Sequence, residues 1–165
     1  MIRQGMTNRL TLHGYADADW ASDINDQKST SGYVFLLAGR AISWSSKKQS
    51  SVTLSSTKAE YITGAHAAKE LVWLRRLLSE LGLELNVATT LLMDNQSTMT
   101  IAQNPEFHNR TKHIKVQYHF LRLKVKDSEL VLAYIPTEEQ IADVLTKALC
   151  WEKHLRFSEG MDIQH

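Results

Sequence analysis

Four acidic residues fall at or near the ends of separate predicted strands and helices. In chain order they are Asp17, Glu60, Asp94 and Asp143. Hard divalent cations such as Mg²⁺ bind carboxylate oxygens, and two such ions about 3.5 to 4 Å apart can hold the attacking and leaving oxygens of a phosphodiester. If the fold gathers these four side chains, the chain has the ligands for metal-dependent phosphodiester chemistry.

Three of these carboxylates also have a purely structural interpretation or a competitor. The sequence from Thr57 to Glu60 fits a capping box, in which Glu60 bonds back to the start of its own helix. Asp94 lies between an apolar strand and a short helix, where an aspartate often acts only as an N-cap or in an Asx-turn. Asp19 has the same strand parity as Asp17 and competes with it as the first ligand. The pattern of residues alone leaves these alternatives open.

The elements that must position these residues follow from the apolar periodicity and from turn residues. Alternating or β-branched runs predict strands over residues 10–18, 31–37, 41–46, 89–93 and 130–135. Helix formers at helical spacing predict helices over residues 57–81, 98–103, 111–125 and 138–149. We expect Gly82 to end the first helix, Thr137 to cap the last, and the tail after Cys150 to fray. This order predicts a mixed α/β sheet whose strand ends gather the site.

Length and composition suit one domain with a sizeable core, since 43% of the 165 residues are hydrophobic and 22% are charged. We expect a single domain over residues 1–165, with a core at about 10–149, an N-terminal linker and a C-terminal tail. No apolar run approaches the roughly 20 residues that cross a membrane, and the N-terminus lacks a secretory signal. The single cysteine, Cys150, excludes an internal disulfide and a cysteine-based zinc site. We expect an intracellular protein without membrane contact.

A net charge of only +1 means that any nucleic-acid binding must use a local basic patch. One candidate is the predicted helix of residues 111–125 and its flanks. Its basic residues are Arg110, Lys112, Lys115, Arg122, Lys124 and Lys126, with His113 and His119 among them. A solvated helix face is an equally supported interpretation of this segment.

Short motifs follow one another along the chain in the order and at the spacing of one known family. They are Tyr15-Ala16-Asp17-Ala18-Asp19-Trp20-Ala21, Ser29-Thr30-Ser31-Gly32-Tyr33, Ser55-Ser56-Thr57 with Ala59-Glu60-Tyr61, Asp94-Asn95-Gln96-Ser97, Arg110-Thr111-Lys112-His113-Ile114, Tyr118-His119-Phe120, Tyr134-Ile135-Pro136-Thr137, and Gln140-Ile141-Ala142-Asp143 with Leu145-Thr146-Lys147. Each motif is weak alone, but the ordered set is specific. Over about residues 12 to 149, the chain closely resembles the RNase H domain of Gag-Pol polyproteins from copia-type (Ty1/copia) LTR retrotransposons.

This resemblance implies an α/β, RNase H-like fold with a five-stranded mixed sheet, three antiparallel strands then two parallel ones, flanked by helices. It implies a ribonuclease H that hydrolyses the RNA strand of RNA/DNA hybrids during reverse transcription. The family's catalytic and metal-binding carboxylates fall on Asp17, Glu60, Asp94 and Asp143. They would bind two Mg²⁺ ions, for which Mn²⁺ can substitute, with Asp17 bridging both.

The chain departs from many RNases H of this fold because no histidine lies between Pro136 and Asp143. His113 is a candidate replacement that would contact the scissile phosphate or aid product release, and a capping or packing role has equal weight. Expected substrate contacts to phosphates and 2′-hydroxyls come from Ser22, Ser29, Thr30, Asn95, Gln96, Arg110 and Lys112. Trp20 and Trp44 are predicted to pack rather than to stack on bases.

The resemblance also implies partners and alternatives. The expected partners are an RNA/DNA hybrid and the adjoining reverse transcriptase domain of the same polyprotein, with a monomer in isolation and a cytoplasmic virus-like particle as the location. One alternative is a catalytically silent RNase H-like module that binds hybrid or supports the polymerase, which a missing acidic ligand would favour. Another is a polynucleotidyl transferase of the integrase or transposase class, but those place a glutamate last, whereas Glu60 comes second here.

Overall fold

The computed structural model describes residues 11–104 and 115–163. Its strands are β1 (Leu12–Asp19), β2 (Thr30–Leu37), β3 (Arg40–Lys48), β4 (Thr89–Met93) and β5 (Leu130–Tyr134). Its helices are α1 (Ser56–Glu80), α2 (Gln96–Gln103), α3 (Lys115–Lys126) and α4 (Trp151–Gly160). Two 3₁₀ helices, Thr137–Glu139 and Ile141–Leu145, lie between β5 and α4.

The five strands form one mixed sheet in the order β3-β2-β1-β4-β5. Strands β1, β2 and β3 pair antiparallel, whereas β4 pairs parallel with both β1 and β5. Asp17 lies directly opposite Gly32, and Tyr15 lies beside Leu92. Because β1 and β4 are parallel, their carboxyl ends meet at the same edge of the sheet. The predicted five-stranded mixed sheet is confirmed.

The main core lies between α1 and one face of the sheet. Phe35, Leu91 and Met93 are fully buried on the strands and belong to one apolar cluster with Leu71 of α1. Leu121 of α3 is buried in the same cluster. Each such side chain contributes about 1.5 to 3 kcal/mol when it leaves water. This packing holds the long α1 against the sheet.

The segment after β5 differs from the prediction. The predicted helix over residues 138–149 is wrong, because the backbone forms 3₁₀ hydrogen bonds from Asp143 N–H to the Gln140 carbonyl and from Thr146 N–H to the Asp143 carbonyl. The physical reason is Gln140, which is fully buried and whose side-chain amide donates to the Ala16 carbonyl across 3.0 Å. This long-range bond anchors the segment on the sheet instead of leaving it as a separate helix.

The tail beyond Cys150 does not fray as predicted but forms α4. Phe157 and Met161 are buried, and the Met161 carbonyl accepts a 3.2 Å hydrogen bond from the backbone N–H of Ala41 in β3. Asp162 forms a 2.8 Å ion pair with Arg40. These contacts with a distant edge strand stabilise α4, and the weak local pattern does not reveal them.

Helix boundaries also differ in detail. The N-cap of α1 is Ser55, whose hydroxyl accepts from the Lys58 backbone N–H, so the capping box that begins at Thr57 is wrong. The first residues of the predicted basic helix, 111–114, lie outside the described residues, and α3 covers Lys115–Lys126. Within the described part of the chain, none of the helices has the length and hydrophobicity that crossing a bilayer requires.

Candidate metal centre

Three carboxylates converge at the edge of the sheet where β1 and β4 end. Asp17 comes from β1, Asp94 directly follows β4, and Glu60 lies in the first turns of α1. One oxygen from each lies within 4.8 Å of the other two. Asp17 and Glu60 are buried, with relative exposures of 1% and 4%, and Asp94 is partly exposed. The cluster is therefore open to solvent on the Asp94 side.

Glu60 is held by a distant backbone group rather than by its own helix. Its Oε1 accepts a 2.9 Å hydrogen bond from the Ala18 N–H. Its Oε2 is buried and has no hydrogen-bond partner among the described residues. Since Oε1 bonds to Ala18 and not to the start of α1, the capping interpretation fails. An unpartnered buried carboxylate oxygen costs free energy, and a cation is its natural partner.

Asp17 is bound by two side chains from the far end of the chain. The Thr146 hydroxyl donates to Asp17 Oδ2, and Lys147 Nζ lies 3.3 Å from Oδ1 and 3.2 Å from Oδ2. Asp19, the competing first ligand, is partly exposed and does not belong to the cluster of three carboxylates found in the described residues. The geometry favours Asp17 over Asp19.

Asp94 is oriented by Thr137, whose hydroxyl donates a 2.8 Å hydrogen bond to Oδ2. The N-cap of α2 is Asn95, since its Oδ1 accepts from the Thr98 N–H across 3.0 Å. The N-cap interpretation of Asp94 is therefore wrong, and its carboxylate faces the cluster. Thr137, predicted to cap a helix, makes no capping hydrogen bond and contacts Asp94 instead.

Asp143 lies beside the cluster but is separated from Asp17 by an ammonium group. It is buried at 1% exposure in the second 3₁₀ helix. Its Oδ1 lies 3.0 Å from Lys147 Nζ, and its Oδ2 lies 2.9 Å from Lys153 Nζ. Lys147 thus bridges Asp17 and Asp143, which places all four predicted carboxylates in one region.

Burial and repulsion between neighbouring carboxylates raise the pKa values of Asp17 and Glu60. Burial raises the pKa of Asp17 to about 6, against the opposing effects of Lys147 and the Thr146 hydroxyl. Burial and the neighbouring Asp17 raise the pKa of Glu60 well above its ordinary value. Burial lowers the pKa of Lys147, but Asp17 and Asp143 outweigh this and raise it overall. The cluster is short of positive charge, so it favours a cation.

The predicted substrate-contact residues on the β1–β2 side divide into two groups. Ser22 and Thr30 hydrogen-bond to each other across 3.1 Å in an exposed position, so both hydroxyls are accessible. Ser29 is fully buried, and its hydroxyl contacts the Ala21 N–H at 3.1 Å and the Thr53 hydroxyl at 3.0 Å. The prediction that Ser29 contacts substrate is wrong because these bonds fix the loop from within.

Of the remaining residues predicted to contact substrate, the structure describes only some. Asn95 uses its side-chain oxygen to cap α2, and Gln96 is exposed beside Asp94. Arg110, Lys112 and His113 lie outside the described residues.

Within the described part of the basic patch, two basic side chains form polar contacts inside the protein. Arg122 donates to the Ile101 carbonyl at 3.1 and 3.0 Å, and Lys124 pairs with Glu129 at 2.8 Å.

The predicted packing of both tryptophans is not what the structure shows, since Trp20 is 48% and Trp44 is 63% exposed. Trp20 donates its indole N–H to the Thr53 carbonyl.

Sequence reasoning missed Lys147 and Lys153 as site residues. Lys147 closes the motif Leu145-Thr146-Lys147, so its place directly after the Asp143 motif was the available signal. Lys153 comes from α4, in a segment whose pattern predicts no stable element, and nothing local indicates its contact with Asp143.

No family model matches the chain. Its sequence is 44% identical over 156 residues to the retrovirus-related Pol polyprotein from transposon RE2 of Arabidopsis thaliana. The matched region covers 94% of this chain and 11% of that polyprotein. It is 47% identical over 138 residues to the retrovirus-related Pol polyprotein from transposon TNT 1-94 of Nicotiana tabacum, covering 84% of this chain and 10% of the polyprotein. The chain thus spans about a tenth of the length of these relatives.

Solved structures share the fold at low sequence identity. LC11-RNase H1, isolated from compost, matches with a TM-score of 0.61 and 20% identity over 82% of this chain and 92% of that chain. LC11-RNase H1 in complex with an RNA/DNA hybrid matches with a TM-score of 0.59 and 17% identity over 82% of this chain and 94% of that chain.

Proposed function

The chain belongs with the Pol polyproteins of copia-type transposons and has the RNase H fold, and from this premise we propose that it is a ribonuclease H domain. The proposed reaction is endonucleolytic, metal-dependent hydrolysis of the RNA strand of RNA/DNA hybrids. The observation that carries the proposal is the convergence of one oxygen each from Asp17, Glu60 and Asp94 within 4.8 Å, with a buried oxygen on Glu60 that has no hydrogen-bond partner among the described residues.

The residues present fit divalent metal ions. Carboxylate oxygens are the donors that Mg²⁺ and Mn²⁺ prefer, and Glu60 Oε2 has no protein partner in the described part of the chain. Asp17, Glu60 and Asp94 would hold one ion, and Asp17 with Asp143 would hold a second. When bound, such ions lower the pKa of a coordinated water and neutralise charge on the phosphate that is cut.

The side chains around the cluster keep its carboxylates in fixed directions. The Ala18 N–H holds Glu60, the Thr137 hydroxyl holds Asp94, and the Thr146 hydroxyl holds Asp17. These bonds are made before substrate arrives, so little reorganisation is needed during the reaction. Partner groups of this kind typically change metal affinity or activity by about 10- to 100-fold when removed.

Recognition of hybrid would use its backbone rather than its sequence. Ser22 and Thr30 offer accessible hydroxyls at one end of the sheet, and Gln96 is exposed beside Asp94. Such groups suit phosphates and 2′-hydroxyls. Because the net charge is only +1, we propose that the adjoining reverse transcriptase domain supplies part of the affinity. From the family resemblance alone, we also propose that the polyprotein acts in a cytoplasmic virus-like particle.

A catalytically silent, hybrid-binding module is the second candidate function. The observation that favours it is the Lys147 ammonium, which contacts both Asp17 and Asp143 where a second metal ion would bind. The two candidates agree on binding of hybrid and differ on whether the RNA strand is cut.

The deciding experiment incubates the protein with labelled RNA/DNA hybrid, double-stranded RNA and double-stranded DNA in Mg²⁺, Mn²⁺ or EDTA. The variant Asp94→Asn tests the cluster, and Asp127→Asn, which removes an exposed carboxylate at the end of α3, is the matched control. Metal-dependent cutting of RNA in hybrid alone, lost only in Asp94→Asn, supports the nuclease. Binding of hybrid without cutting in either metal supports the silent module.

A further inference from the structure

The cluster of Asp17, Glu60 and Asp94 forms one site with the neighbouring Asp143, and the two halves of this site differ in their counter-ions. On one side, Lys147 Nζ lies 3.2 and 3.3 Å from the two oxygens of Asp17 and 3.0 Å from Asp143 Oδ1. Lys153 Nζ lies 2.9 Å from the other oxygen of Asp143. Both oxygens of Asp143 therefore have an ammonium partner, and this side of the site is already neutralised.

On the other half, no ammonium partner is found in the part of the chain that the structure describes. In residues 11–104 and 115–163, Glu60 and Asp94 form no ion pair within 4.0 Å, and their hydrogen bonds come from the Ala18 N–H and the Thr137 hydroxyl. Glu60 Oε2 is also unpartnered among these residues. On this side, a cation that enters the site can bind carboxylate oxygens that have no ammonium partner among the described residues. On the other side, both oxygens of Asp143 already have one.

We propose that Lys147 is a built-in counter-ion that occupies the Asp17–Asp143 half of the site, so that a second metal ion binds there only by exchange with its ammonium group. This inference rests on the proposed function, because it assigns a loading order to the same carboxylates. The first ion binds at Asp17, Glu60 and Asp94, and the second binds more weakly because it must displace Lys147.

The side chains are suited to this exchange. The Lys147 side chain is 30% exposed, so its flexible stem can carry the ammonium into solvent, where it is strongly hydrated. Lys153 also packs over the ring of Phe157, with Nζ 5.1 Å from the ring centroid, and this contact keeps it near Asp143. Lys147 is therefore the group that moves, and Lys153 remains as the fixed partner of Asp143.

The test measures binding of Mn²⁺ to metal-free protein without nucleic acid, by electron paramagnetic resonance of free Mn²⁺. Lys147→Met keeps the length of the stem and removes the charge, and Lys69→Met removes an exposed lysine from the middle of α1 as the control. We expect the affinity for the second ion to rise roughly tenfold or more in Lys147→Met and to stay unchanged in Lys69→Met. We also expect Lys147→Met to melt lower in EDTA and to gain more from Mn²⁺ than the unsubstituted protein.

Lys147→Arg keeps the charge and supplies a second variant if Lys147→Met folds poorly; we expect its second-ion affinity to stay close to that of the unsubstituted protein. Equal Mn²⁺ binding by Lys147→Met and Lys69→Met, or no binding by any protein, would overturn the inference. A cleavage assay with hybrid separates the two proposals. Cleavage by the unsubstituted protein with unchanged Mn²⁺ binding in Lys147→Met defeats only the counter-ion inference, whereas the expected Mn²⁺ pattern without cleavage defeats only the nuclease.

Discussion

The side-chain amide of Gln140 donates a 3.0 Å hydrogen bond to the backbone carbonyl of Ala16, one residue before Asp17 in β1. Its amide nitrogen also lies 3.5 Å from the Leu92 carbonyl in β4, and its oxygen accepts from the Ala142 N–H. One buried side chain therefore joins the two parallel strands to the segment that carries Asp143. The spacing between Asp17 and Asp143 depends on this connection.

Gln140→Ala should destabilise the protein by about 2 to 3 kcal/mol, because three backbone groups lose the hydrogen bond that they make to this side chain and a cavity forms. Urea denaturation followed by circular dichroism measures the change. The neighbouring Glu139→Ala, at an exposed position, is the control and should change stability by less than about 0.5 kcal/mol. Equal midpoints for the two variants would show that Gln140 does not hold the segment in place.

Thr137→Val should lower the affinity of the cluster for Mn²⁺ by about 10- to 100-fold, because the Asp94 carboxylate loses the hydroxyl that orients it. Thr137→Ser retains the hydroxyl and should bind Mn²⁺ within about threefold of the unsubstituted protein. Calorimetric titration with Mn²⁺ measures both. Weak binding in the serine variant as well would mean that the threonine methyl group, rather than the hydroxyl, matters at this position.

Glu60→Gln should stabilise the metal-free protein at pH 7 and have a smaller effect at pH 4. The pKa of Glu60 is raised in the folded state by burial and by Asp17, so its contribution to stability is present below the unfolded-state pKa and is lost as the pH rises through the folded-state pKa. Thermal melting in EDTA across this pH range tests the sign, with the exposed Glu84→Gln as the control. A pH-independent difference between Glu60→Gln and the unsubstituted protein would contradict the raised pKa.

Gly32→Ala should destabilise the protein by about 1 to 3 kcal/mol through overpacking. A Cβ at this position would lie 2.6 Å from Thr146 Cγ2 and 2.9 Å from Leu145 Cβ, so the segment that contacts Asp17 would have to move. Ser46→Ala, at the exposed position that pairs with Gly32 on β3, is the matched control. Chemical denaturation compares them, and a Gly32→Ala midpoint equal to that of Ser46→Ala would exclude the close contact.

Much of the fold was accessible from local patterns. The alternation over residues 10–18 predicted a strand, and the structure has β1 over Leu12–Asp19, with Leu12 and Ala16 buried in the main apolar cluster. The absence of proline and the glycine at position 82 predicted the long α1. Such patterns report only which face of an element is apolar, and this is a property of neighbouring residues along the chain.

The same patterns failed where a long-range contact overrides local preference. Residues 138–149 have the composition of a helix, but the buried bonds of Gln140 anchor this segment on the sheet, where it forms two short 3₁₀ helices that end at Leu145. Ser29 is a residue type that suits contact with substrate, but its hydroxyl forms hydrogen bonds with Ala21 and Thr53 inside the protein. The weakly patterned tail forms α4, which packs against the second 3₁₀ helix and is followed by Met161 and Asp162 bonded to β3.

The sequence by itself determined the family, the order of the five strands and of the elements up to β5, and the identity of the four acidic residues proposed as ligands. The tertiary structure decided what each carboxylate contacts: Glu60 bonds to Ala18 instead of its own helix, and Asp17 and Asp143 share Lys147. The reason is physical. Hydrogen bonds and ion pairs depend on distances between atoms far apart in the chain, whereas hydrophobic periodicity records only how each segment meets the core.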